Sequence, residues 1–177
     1  EEYAQLITKE INKPITQSLA EIEKCATLCN YYHENAAKFL AQKNIKTEVS
    51  ESYVTYEPLG VILGIMPWNF PFWQVFRFAI PTLIAGNTVV VKHASNVSLC
   101  AKILQDIFEK SGYPNGCYTN ISVPSSAIKQ IIANPQIKAI SLTGSENAGI
   151  SVASEAAKHL KKCVLELGGN NAFIVLE

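Results

Sequence analysis

Residues 61–65 read Val-Ile-Leu-Gly-Ile, and the chain then passes through Met66-Pro67-Trp68-Asn69-Phe70-Pro71 into an apolar stretch that runs to about residue 85. A short apolar run closed by a proline-rich turn has the length and composition of a buried strand, and the stretch behind it is long enough for a helix. The same alternation continues downstream. Strands are predicted at 88–92 (Thr-Val-Val-Val-Lys), 118–123, 138–142 and 163–167, and helices at about 70–85, 96–111, 125–133 and 146–160. Gly112 stands where a helix usually ends. Strand and helix in alternation predict βαβ units, and so an α/β fold with a Rossmann-like, mostly parallel sheet flanked by helices. Ligands of such sheets bind beyond the carboxyl ends of the strands, which makes the strand-to-helix junctions the places to look for chemistry.

Upstream, residues 2–12 form an amphipathic helix stopped by Pro14, and residues 15–42 form a longer one. In the second, Leu19, Ile22, Cys25, Cys29, Tyr32, Ala36 and Phe39 recur every three or four positions, while Glu21, Lys24, Glu34 and Lys38 read as a solvated face. Residues 47–56 change to a period of two, the pattern of a projecting ribbon polar on both faces. Residues 172–177 (Ala-Phe-Ile-Val-Leu-Glu) read as the start of another strand. A chain that opens on Glu1 and stops in such a strand is expected to be a piece of a longer protein.

Composition narrows the function. Fifteen Lys and Arg balance fifteen Asp and Glu, so charge gives no basis for binding nucleic acid or an anionic membrane. No apolar run approaches a membrane span, and the N-terminus lacks a signal-peptide pattern. Three scattered histidines form no metal cluster. The five cysteines include no C-x-x-C pair, which predicts reduced thiols in a cytoplasmic protein.

Four junctions carry candidate chemistry. Pro67 and Pro71 bracket Asn69 and hold its amide where it could stabilise an oxyanion; a turn with a buried Trp and a self-bonded Asn is the plainer alternative. Phe70, Trp73, Gln74 and Arg77 share a helix face, and Arg77 in so apolar a helix needs either an anionic ligand or an internal carboxylate. Lys92 ends one strand and could meet a nucleotide ribose or phosphate, or solvent. Gly144 and Ser145 open a helix whose N–H groups could face a pyrophosphate, or Ser145 could be a simple cap. Glu166, beside Gly168 and Gly169, could be a general base or could cap nearby N–H groups. Neither G-x-G-x-x-G nor a complete Walker motif is present.

Together, Pro67-Trp68-Asn69-Phe70-Pro71, Val91-Lys92, Leu142-Thr143-Gly144-Ser145 and Leu165-Glu166-Leu167-Gly168-Gly169 resemble the aldehyde dehydrogenase superfamily, in sequence and in order. The resemblance covers the whole chain. Within it, Met66 to Arg77, Lys92-His93-Ala94 and Lys161 to Gly169 are most similar to bacterial succinate-semialdehyde dehydrogenases. It implies an oxidoreductase that oxidises an aldehyde with a carboxylate tail, succinate semialdehyde to succinate, using NADP or NAD and a Cys thioester. It also implies the roles. Asn69 is the oxyanion side chain and Glu166 the base. Ile65, Trp68, Lys92, Ser95, Gly144 and Ser145 line the cofactor groove, and Phe70 and Arg77 meet the substrate. Ser95 stands where NAD-preferring relatives often carry Glu, which leaves room for a 2′-phosphate. His93 replaces a common Pro. The resemblance further implies N-terminal helices over 1–44, an oligomerisation-type ribbon over 45–58, a cofactor-binding domain over 59–167, and the opening of a catalytic domain over 168–177. The full-length protein is expected to form a homo-oligomer. No cysteine occupies the nucleophile's place, so the chain alone is expected to be inactive. The alternatives are a non-catalytic dinucleotide-binding fragment, or a truncated product that acts only as a partner or has no role.

Overall fold

The computed structural model describes residues 1–176. Two helices, α1 (Glu2–Ile11) and α2 (Ile15–Leu40), come first, followed by a ribbon of β1 (Lys43–Asn44) and β2 (Tyr53–Val54). The α/β portion runs β3 (Val61–Ile65), α3 (Trp73–Ile84), β4 (Thr88–Lys92), α4 (Ser98–Lys110), β5 (Tyr118–Asn120), α5 (Ile128–Ala133), β6 (Ile137–Thr143), α6 (Glu146–Lys158) and β7 (Lys162–Glu166). The five longer-range strands form one parallel sheet in the order β5-β4-β3-β6-β7. The predicted α/β architecture is therefore the observed one.

The chain builds outward from β3 to β4 and β5, then returns to place β6 on the other side of β3. The crevice between β3 and β6 is thus the point where the winding reverses, which is where doubly wound sheets bind ligands. The register aligns the strand ends there: Ile65 pairs with both Lys92 and Leu142, and Thr143 pairs with Glu166. Residues far apart in sequence consequently stand side by side along one edge of the sheet.

Alternate residues of each strand feed two cores, as pleating requires. One joins Val89 and Val91 to Phe72, Val75, Leu104 and Phe108 beneath α3 and α4. The other joins Leu63, Ile140 and Leu142 to Ile128, Ile132 and Val152 of α5 and α6. The N-terminal helices lie over the first core, and a carboxylate fastens each layer. Glu10 accepts the N–H groups of Leu99 and Cys100 at the start of α4, at 2.8 and 2.9 Å. Glu21 accepts those of Phe72 and Trp73 at the start of α3, at 2.9 and 3.0 Å. Both satisfy N–H groups that a helix cannot pair internally.

The structure departs from several expectations. Glu21 is not solvated: it is 3% exposed and pairs with Lys13. Lys24, by contrast, is exposed as expected, with its ammonium over the Trp73 ring, 3.9 Å from its centroid. The ribbon does not run through 47–56; only two residues of each strand pair, Lys43 with Val54 and Asn44 with Tyr53. Both strands are exposed on each face, and an isolated two-stranded ribbon gains too little burial to extend. Helix α3 begins at Trp73 rather than 70, because Pro71 and the Glu21 cap set its start. Strand β5 ends at Asn120, at the sheet edge, where nothing beyond it supplies a second ladder. Residues 172–176 are exposed and form no strand, and Glu177 lies outside the described residues.

Candidate functional site

The turn between β3 and α3 is where backbone restraint is concentrated. Lys13 sits between α1 and α2, after Asn12 in a left-handed conformation and before Pro14. Its ammonium donates to Glu21 Oε2 at 2.7 Å and to the Asn69 carbonyl at 3.1 Å, and lies 3.5 Å from the Phe70 ring centroid. His93 Nε2 meets the Pro71 carbonyl at 3.3 Å from the opposite side. The Asn69 amide group itself has no hydrogen bond to any described residue, and Asn69 and Trp68 are exposed. The plainer alternative of a buried Trp and a self-bonded Asn is thus not what forms. The backbone is fixed from within, and the amide faces outward.

An open cleft of about 550 Å³ lies at the β3/β6 crevice, and it gathers Trp68, Asn69, Arg77, Gly144, Ser145 and Glu166. Arg77 reaches from α3 across the strand ends. Its guanidinium donates to Thr143 Oγ1 at 3.3 Å and stands 3.6 Å from the Glu166 carboxylate. Both alternatives for Arg77 therefore remain in play, since it has an internal carboxylate and yet lines the cleft. The pair is half-exposed, and such pairs contribute little to stability, so Arg77 loses little in exchanging one carboxylate for another. Ser145 caps α6, its Oγ accepting the Ala148 N–H at 3.3 Å. The Gly144 N–H is taken by the Glu166 carbonyl at 3.0 Å, so the anion-attracting groups here are the first-turn N–H groups of α6.

The remaining predicted residues are not among those that line this cleft. Ile65 and Lys92 line a separate cavity of about 160 Å³ under α5 and α6, walled by Ile128, Ile132, Leu142 and Val152. Ser95 lines a crevice of about 100 Å³ with His93 and Asn120. Phe70 lies against Lys13 and does not line the cleft. Lys13 and Glu21, which hold the turn, were missed in the sequence. Glu21 falls on the buried side of α2 with Ser18 and Cys25, which its charge conceals in the sequence.

The thiols point away from nucleophilic duty. None lines the cleft among the described residues. Burial pushes the Cys25 thiol up to about 12, and it also raises Cys29, Cys100 and Cys163, whereas a nucleophilic cysteine needs a depressed value. Cys163 packs with the α5–α6 core, on the face away from Arg77.

His93 has its own pH consequence. Burial holds its imidazole below the ordinary histidine value, and the bond to Pro71 offsets this only in part. A base with a depressed native value is neutral when folded, so the unfolded chain takes up the proton first as pH falls. Stability is therefore complete above the unfolded value of about 6.5 and declines below it until the native value is passed. A His93→Asn variant is expected to show a flatter decline in urea midpoint between about pH 7.5 and 5 than the parent chain. Parallel curves would exclude His93 as the cause.

Comparison with known proteins identifies the family and the fold. The aldehyde dehydrogenase family model matches residues 1–177. The chain is 50% identical over 177 residues to a probable NADP(+) succinate-semialdehyde dehydrogenase of Synechocystis sp., covering 100% of this chain and 39% of that protein. It is 45% identical over 176 residues to an NAD(P)+ succinate semialdehyde dehydrogenase of Escherichia coli, covering 99% of this chain and 38% of the relative. A crystal structure of succinic semialdehyde dehydrogenase from Streptococcus pyogenes in complex with NADP+ superposes with a TM-score of 0.95 at 38% identity, covering 99% of this chain and 39% of that one. The chain thus spans about two fifths of the length of these relatives.

Proposed function

The chain belongs to the aldehyde dehydrogenase family, and on that premise we propose that it supplies one wall of the active site of an NADP-accepting succinate-semialdehyde dehydrogenase. The observation that carries this is the single cleft that gathers Asn69, Arg77 and Glu166 at the winding reversal of the sheet. An amide donor, a cation and a carboxylate in one concavity match a substrate with a reacting carbonyl at one end and an anion at the other. The similar relatives named for succinate semialdehyde and NADP(+) add support.

The residues present fit a dinucleotide. The cavity at Lys92 combines apolar walls with a cationic rim, suited to a purine ring beside a ribose or phosphate, and α6 opens towards the cleft at Ser145. Ile65 and Lys92 would hold the adenosine end, Ser95 would leave space beside it, and Trp68 and Ser145 would border the path between. When bound, the cofactor accepts the hydride released from the aldehyde carbon. The rest falls to the side chains. Asn69 donates its amide N–H to the carbonyl oxygen as negative charge gathers there. Glu166 takes a proton from the thiol that attacks, or from the water that later releases the acid. Arg77 holds the distal carboxylate and so orients the chain between them.

The test is spectrophotometric. The full-length protein is expected to form NADPH from NADP and succinate semialdehyde, and the 177-residue chain to form none, because no thiol reaches its cleft. Turnover by the pure chain, or none by the full-length protein, would overturn the proposal. Arg77→Gln in the full-length protein is expected to raise KM for succinate semialdehyde about ten- to a hundredfold, the worth of one charge-assisted hydrogen bond. Butyraldehyde, which lacks the carboxylate, should be oxidised as before; equal losses on both substrates would assign Arg77 to structure alone.

A further inference from the structure

The β3–α3 turn is held by more than a helix cap needs. Glu21 alone would satisfy the first N–H groups of α3, through Phe72 and Trp73. Lys13 makes no hydrogen bond to that helix itself. It donates to the Asn69 carbonyl at 3.1 Å and covers the Phe70 ring, and its charge is matched by Glu21 at 2.7 Å. The two side chains are 8% and 0% exposed, so the pair is removed from water where ion pairs are costly to build. Residues 69, 70, 72 and 73 are thus fixed by a single buried pair, and the Pro71 carbonyl between them by His93. The Asn69 side chain itself is exposed and lines the cleft.

We propose that Lys13 and Glu21 are positioning residues for Asn69, so that helices α1 and α2 act in the site and not only as its support. Their effect is to fix the peptide at 69–70 and thereby aim an amide that bonds none of the described residues. The kinetic part of the proposal rests on Asn69 serving as oxyanion donor; the structural part does not.

The test on this chain is nuclear magnetic resonance of the Asn69 side-chain amide and the Trp68 indole N–H. Single Lys13→Met leaves a buried carboxylate unmatched and can fail to fold, so the deciding variant is Lys13→Met with Glu21→Gln. It removes both charges and keeps an acceptor for Phe72 and Trp73. In the folded double variant, the Asn69 amide signals are expected to shift and to lose roughly half or more of their intensity to exchange broadening. Glu10→Gln, which weakens the equivalent cap on α4, should leave them unmoved, and Lys13→Arg should largely preserve them. Unchanged Asn69 signals in the double variant would overturn the proposal, as would equal changes in Glu10→Gln. In the full-length protein the double variant should lower kcat about tenfold or more, with KM for aldehyde and cofactor Kd near the parent values. If the parent oxidises no aldehyde, the oxyanion role of Asn69 fails, while the resonance measurement still decides whether the pair holds the turn.

Discussion

Replacing Glu21 by alanine is expected to remove about 3–5 kcal/mol of stability, the usual result of breaking a buried ion pair by deleting one partner. Lys13 would keep its charge at a site where its side chain is 8% exposed, and the Phe72 and Trp73 N–H groups would lose their acceptor together. Each buried group left unpaired adds its own penalty. A domain of this kind has about 5–15 kcal/mol to lose, so the variant should sit near the edge of folding. Glu10→Ala is the informative contrast. Glu10 also accepts two N–H groups, yet the one at Leu99 is exposed to water and no lysine depends on it. Its loss should cost about 1 kcal/mol, the ordinary value of a helix cap. Urea denaturation of both variants measures the difference. Equal losses would show that the Lys13 charge is not what makes Glu21 matter.

The same pair shows where sequence reading stops. Strands β3 and β4 are legible because each holds consecutive apolar residues, as a strand buried on both faces must. Strand β6 is broken by Lys138 and Ser141 and β7 is largely exposed, so both are read from their place in the strand–helix alternation. The junction residues are legible because parallel strands put their carboxyl ends on one edge, whatever lies between them. Glu21 is not, since a carboxylate in an amphipathic helix is nearly always on the wet side, and only a partner eight residues upstream makes this one an exception. That Ile65 and Lys92 line a second cavity beside the cleft was equally hidden. Its walls come from α5 and α6, and crossover packing leaves no local mark at the strand ends. The ribbon misled for a third reason: alternation at 47–56 describes which residues tolerate an extended backbone, while the extent of pairing depends on what the ribbon meets.

Asn69→Ala in the full-length protein is expected to lower kcat by about a hundred- to a thousandfold, the cost of removing one oxyanion donor. Cofactor affinity should hold, because the Asn69 carbonyl that Lys13 grips belongs to the backbone and survives the substitution. That separation makes the experiment clean. In most turns an asparagine side chain bonds its own backbone, and its loss would loosen the loop and blur every kinetic constant. Here the amide bonds none of the described residues, so removing it takes away a donor aimed at the cleft and little else. Asn69→Asp sharpens the distinction. It keeps the shape and puts negative charge where the oxyanion must form, so it should be at least as slow as alanine, and relief at low pH would identify the carboxylate as the cause. A fall in stability matching the fall in kcat would instead make Asn69 a structural residue. Unchanged kcat in both variants would remove it from the reaction, and would leave the tightly held turn at residues 69–73 without a catalytic purpose.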